Sequence, residues 1–151
     1  MYQSQIFRSI ISVNLKNCND IDEYILNQLR LLEGSCISAG FVKHESIKLI
    51  SRSIGSTNAM NASGDIYFNV IFSGDVYNPV VGQKVKCKVD KINKLGILAY
   101  GEKLPVCVLI ARQHHENMFR KCTENEMIEC EVVGKRFKLK DTEIQVIGKF
   151  I

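Results

Sequence analysis

The chain has 151 residues, with 20 Lys/Arg against 16 Asp/Glu and a net charge of +4. Its apolar share of 46% and charged share of 24% fit a folded chain of one domain or two small ones, not a disordered tail. No run of about 18 apolar residues occurs, so no membrane span is expected. The opening MYQSQIFRSIISVNLKN lacks a basic stretch followed by a long apolar core, so no secretory signal is expected.

Charge is unevenly distributed. Residues 1–78 hold six Lys/Arg against seven Asp/Glu, net −1, and residues 79–151 hold fourteen against nine, net +5. A near-neutral first half and a basic second half point to nucleic-acid contact by the second alone. Cys18, Cys36, Cys87, Cys107, Cys122 and Cys130 include no C-x-x-C pair. They read as reduced thiols of a cytosolic or nuclear protein.

In chain order, the imperfect alternation of Ile6, Ile10, Ile11, Val13 and Leu15 predicts a strand over Ser4–Leu15. Asn17 to Asp20 is a turn. Asp20 caps a helix, with Glu23 three residues on. Ile21, Ile25, Leu29 and Leu32 form one buried stripe, and Gly34 ends the helix in a left-handed conformation. Ile47–Ile54 is a strand, Gly55–Gly64 (GSTNAMNASG) a loop, and Asp65–Ser73 an alternating strand with Ile66, Phe68, Val70 and Phe72 on one face. Pro79 fixes its own φ and restrains Asn78, which predicts a stiff linker and domains at 1–78 and 79–151.

The second domain opens on Lys84–Asp90. Lys84, Lys86, Lys88 and Asp90 point one way, and Val85, Cys87 and Val89 the other. A period of two is a half-buried strand. Asn93-Lys94 turns into a second strand at Gly96. Three further strands follow: Lys103–Ile110, where Pro105 argues for a sheet edge or bulge, then Met127–Val133 and Thr142–Phe150. Ala111–Glu126 is a polar insertion holding His114, His115, Met118 and Phe119. Gly134–Asp141 is a basic, turn-bearing segment. Five strands with an insertion between the third and fourth follow the OB plan. The expected fold class is α+β.

Several of these stretches resemble one family. Gly82-x-x-Val85-x-x-x-Val89-x-x-Ile92, followed by a turn and Gly96, looks like the start of an S-one-type OB-fold, an RNA-binding module. Taken with the helix, Glu33-Gly34-Ser35-Cys36, Gly40-Phe41-Val42 and the linker Val76-Tyr77-Asn78-Pro79-Val80-Val81-Gly82, the chain resembles the stalk (seventh) subunit of eukaryotic and archaeal multisubunit RNA polymerases. The order and spacing of these motifs span most of the chain. The resemblance implies an N-terminal truncated RNP-like α/β tip domain (1–78) and an OB-fold RNA-binding domain (79–151). It implies a non-catalytic subunit of DNA-directed RNA polymerase, acting in transcription and its initiation. Its partners would be the polymerase core subunits, a small helical stalk partner and nascent single-stranded RNA, with no membrane. Compared with cellular relatives, the chain is shorter after Ile110 and at its end, and its Ile, Asn and Lys usage suits an A/T-rich genome. Both suit a virus-encoded copy, and the implied location is the nucleus, or host cytoplasm and virion if virus-encoded.

Candidate RNA-binding residues are Lys84, Lys86, Lys88, Lys91, Lys94, Arg136, Phe137 and Lys138. The strand places alternate lysines about 6–7 Å apart, close to the phosphate spacing of an extended strand. The plainer reading is a solvated face on which lysine guards an edge. Where many S-one domains carry Tyr-Gly-x-Phe, this chain has Leu95-Gly96-Ile97-Leu98, leaving Tyr100, Phe119 and Phe137 as candidate stacking platforms. Phe137, between Arg136 and Lys138, is the best placed. From the resemblance, Ile54, Gly55, Asn58, Met60 and Gly64 form the tip loop that docks on the polymerase core. The alternative is a mobile surface loop.

The adjacent His114 and His115 cannot easily share one tetrahedral ion and no cysteine pair is close in sequence, so no metal is expected. No catalytic or cofactor motif appears, so neither an enzyme nor a cofactor is expected. The rival reading is a free-standing S-one-type RNA-binding regulator, either a translation-factor decoy or an accessory subunit of a nuclease complex.

Overall fold

The computed structural model describes residues 2–14, 16, 19–57, 64–111 and 123–151. These fall into two compact units, one of Tyr2–Gly34 with Val42–Val76, the other of Ser35–Phe41 with Tyr77–Ile151.

The first unit is built on two long strands, β1 (Gln3–Asn14) and β6 (Asp65–Tyr77, whose last residue belongs to the second unit). They pair antiparallel without a break from Gln3↔Val76 to Asn14↔Asp65. Strict alternation on β6 buries Phe68, Val70, Phe72 and Val76 on one face. The strand runs four residues past Ser73, because Gly74 and Val76 keep the alternation going. Helix α1 (Ile21–Arg30) covers the apolar side through Ile25 and Leu29, both buried. Asp20 caps it, accepting from the amides of Asp22 (3.1 Å) and Glu23 (3.3 Å). Gly34 ends the turn that follows with φ +75°, and a Cβ there would sit 2.2 Å from the His44 ring, so glycine is required twice over.

On the far edge of β6 lie β4 (Lys48–Arg52) and β5 (Ser56–Thr57). The expected strand over Ile47–Ile54 is therefore shorter, with a bulge between Leu49 and Ser51. Arg52 joins β4 to the start of α1 through Asp22 (Nε–Oδ1 2.5 Å) and lies 5.1 Å over the Phe68 ring.

The second unit is a closed five-stranded barrel with a small hairpin. The hairpin is β2 (Cys36–Ile37) with β3 (Gly40–Val42, whose last residue belongs to the first unit). The barrel strands are β7 (Lys84–Ile92), β8 (Gly96–Gly101), β9 (Val106–Ala111), β10 (Met127–Arg136) and β11 (Ile144–Phe150). They run β10-β11-β9-β8-β7 and close through β7 on β10, with β9 and β11 parallel and the other pairs antiparallel. A closed, mixed, five-stranded barrel is consistent with an OB-fold.

Alternation fills its interior with Val85, Cys87, Val89, Ile97, Ala99, Val106, Val108, Ile110, Cys130, Val132, Ile144 and Val146, all buried. Each enclosed valine or isoleucine contributes about 1.5–3 kcal/mol. Gly96 lies so close to β9 that a Cβ would fall 2.4 Å from the Ile110 carbonyl oxygen.

Two expected boundaries move. Pro105 stands before β9 rather than within it, and its carbonyl accepts from the Ile144 amide (2.8 Å), a bond that needs no proline N–H. β10 runs on to Arg136, since a bulge at Val133 lets it follow the barrel's curvature while Lys135 and Arg136 pair with Val146 and Gln145. The basic segment read from Gly134 is thus strand as far as Arg136.

Candidate nucleic-acid interface

The barrel registers assign every outward residue its neighbours. One row crosses all five strands: Lys88 opposite Tyr100, Tyr100 opposite Cys107, Cys107 opposite Gln145, and Gln145 opposite Arg136. The next row runs Lys91, Leu98, Leu109, Ile147. Tyr100 is 42% exposed, Leu109 50% and Ile147 55%. Together they make an apolar strip on the outside of β8, β9 and β11, with cations at both ends. Lys88, Lys91 and Lys94 flank it at the β7–β8 turn, and Arg136 and Lys138 at the β10–β11 loop.

That turn is rigid. Asn93 accepts from the amides of Leu95 (2.9 Å) and Gly96 (3.0 Å) through its side chain and donates its own amide to Gly96 O (3.0 Å). The β10–β11 loop is equally held. Asp141 accepts from the Lys138 amide (2.8 Å), and Cys36 of the β2–β3 hairpin exchanges two main-chain bonds with Asp141 and Lys140 (2.7 and 2.9 Å).

The lysines of β7 do not stand alone. Across the β10 ladder, Lys84 faces Glu131 and Lys86 faces Glu129, while Lys88 faces Met127. Opposite charges directly across a ladder attract. Glu131 is also paired with Lys149 (2.8 Å). Lys88 thus has no acid opposite it on either neighbouring strand. Lys135, on the same basic arm, is held by the Asn78 side chain (2.5 Å).

Two acids, Glu143 and Asp90, lie near the centre of the strip. The Tyr100 phenol is pushed up by Cys107 beside it, then by partial burial, Glu143 and Asp90. The Cys107 thiol is raised by burial, then by Glu143 and Asp90. Phosphates are therefore favoured at the two ends and apolar faces of bases in the middle. Deep in the barrel, the Cys87 and Cys130 sulfurs lie 3.7 Å apart and unlinked. Their shared hydrogen bond, followed by burial, pushes the Cys87 thiol far above the usual range.

Of the residues singled out from sequence, Lys88, Lys91, Lys94, Arg136, Phe137 and Lys138 border the strip, while Lys84 and Lys86 lie on the β10 side. The strip's aliphatic members were missed. Their signal was present in the sequence as apolar residues at outward positions of alternating strands. In the other unit, Ile54 is 93% exposed. Gly55 packs against Ile66 and Phe68, and Gly64 has φ +78°. Asn58, Met60, His114, His115, Phe119 and Cys122 lie outside the described residues. A scan of family models and a search of curated proteins each returned no match to the chain.

Proposed function

We propose that the chain is a non-catalytic stalk subunit of a DNA-directed RNA polymerase, in which the barrel contacts emerging single-stranded RNA and the helix-bearing unit docks on the core enzyme. In this reading the barrel is an S-one-type OB domain and the first unit is a truncated RNP-like tip, with Ile54 and the loop that follows reaching into the core. The observation that carries it is the apolar strip of Leu98, Tyr100, Leu109 and Ile147 with cations at both ends, since nonspecific single-strand binders pair a stacking surface with basic margins. The order of the motifs from Glu33 to Gly96 supports the assignment to a polymerase stalk.

Binding is electrostatic in the main, because aliphatic side chains replace most of the usual aromatics. Fluorescence anisotropy with a labelled single-stranded RNA tests it. Affinity is expected to fall steeply between low and physiological salt, with a slope of roughly 0.7 per phosphate contact. Absence of binding at low salt contradicts the reading.

A further inference from the structure

At one end of the strip, Arg136, Phe137, Lys138, Asp141 and Gln145 line a cleft of about 160 Å³. Its floor is fixed before any ligand arrives. The Asp141 carboxylate accepts from the Lys138 amide (2.8 Å), the Asp141 amide donates to Lys138 O (3.1 Å), and Cys36 holds the backbone of Lys140 and Asp141 from behind. Lys140 turns the chain with φ +73°. A preformed cleft loses little freedom on binding.

Its lining is almost wholly polar, with Phe137 at its border. Arg136 and Lys138 only donate hydrogen bonds, Asp141 only accepts, and Gln145 does both. A bare phosphate suits the two cations but is repelled by Asp141. Uracil has a single N–H between two carbonyls, which a carboxylate would repel. Adenine offers an amino donor but no carbonyl for the cations. Cytosine sets a lone-pair nitrogen beside its amino group, which a carboxylate would repel. Guanine presents N1–H and N2–H side by side for a carboxylate, and O6 and N7 for Arg136 or Lys138.

We propose that this cleft is a base-reading pocket that takes one guanine of a bound single strand, so that an otherwise sequence-tolerant interface reads one position. This rests on the reading of the barrel as an RNA-contacting surface.

The test is anisotropy of the full chain with four labelled octamers, all-uridine and the same strand with one central G, A or C. The guanine strand is expected to bind about tenfold more tightly, the scale of one good bidentate base contact. In Asp141→Asn the side-chain oxygen still accepts from the Lys138 amide, while the other atom becomes a donor. That variant is expected to lose the preference for guanine while its affinity for the all-uridine strand holds or rises, since a negative charge beside Arg136 and Lys138 is removed. Gln145→Ala, at an exposed site that leaves the loop bonds alone, is expected to narrow it. Equal affinity of the wild type for all four strands removes the pocket and leaves the RNA-contacting reading standing. So does an Asp141→Asn variant that keeps the guanine preference. A wild type that binds none of the four overturns the RNA-contacting reading and this inference with it.

Discussion

Lys86 stands directly opposite Glu129 across the β7–β10 ladder, and Lys84 opposite Glu131. Two of the three lysines in that row therefore have an acid as their cross-strand neighbour, although the ion pair that Glu131 makes is with Lys149. Lys88, opposite Met127 on one side and Tyr100 on the other, keeps its charge for a ligand. Lys88→Gln is expected to weaken RNA binding more than Lys84→Gln or Lys86→Gln. The triple change is expected to flatten the salt slope by up to about two units, at ~0.7 per contact. Glu129→Gln, which removes the acid across from Lys86, is expected to tighten binding. A triple variant with wild-type affinity and slope would make these lysines a solvated strand face.

Gly96 allows β8 to approach the Ile110 carbonyl, where a Cβ would sit at 2.4 Å from a backbone atom that cannot swing away. Gly96→Ala is expected to cost about 1–3 kcal/mol, the range for overpacking a tight core. Urea unfolding checks this through a lower midpoint at an unchanged slope. A wild-type midpoint would mean that the two strands can separate freely at that point.

The Cys36 and Cys107 thiols are both pushed above their ordinary range, chiefly by burial. With folded values raised, the unfolded chain sheds thiol protons first, at about pH 8.5. The stabilisation is complete below that pH and declines as pH rises through it, because the unfolded state then binds fewer protons than the native one. Thermal melts from pH 7 to 10 are expected to show a falling midpoint above about pH 8.5. A variant with Cys36 and Cys107 both changed to alanine, compared with its own value at pH 7, is expected to fall less.

Ile54 projects almost wholly into solvent, just before the loop proposed to dock on the polymerase core. Ile54→Asp is expected to leave the melting temperature and RNA affinity within error while reducing recovery with polymerase. The combined variant at Ile54, Asn58 and Met60 should release the chain fully. Retention of the triple aspartate variant on polymerase would move the docking surface elsewhere.

Much of the architecture could be read from period alone. Val85, Cys87 and Val89 alternate so regularly that their burial inside a barrel followed, and Asp20 and Gly34 mark the first helix and its turn by chemistry specific to caps. What alternation cannot supply is register. Glu129 and Glu131 were legible as one face of a strand, but nothing in their spacing says that they lie against Lys86 and Lys84, because pairing between β7 and β10 is non-local. The same holds for the Leu98–Leu109–Ile147 row, which exists only once three strands are aligned. Arg136 and Lys138 read as one extended segment, whereas the strand ends between them and the chain turns at Lys140, held by Asp141. The bulge at Val133 that allows this leaves no mark that composition or periodicity can detect.

The assignment to a polymerase is tested most directly by affinity purification of the tagged full chain from the cells that express it, followed by mass spectrometry. The account predicts recovery of the two largest RNA polymerase subunits in amounts comparable to the bait, surviving nuclease treatment and lost in the triple tip-loop variant. Recovery of translation-factor or nuclease subunits with no large polymerase subunit would contradict it.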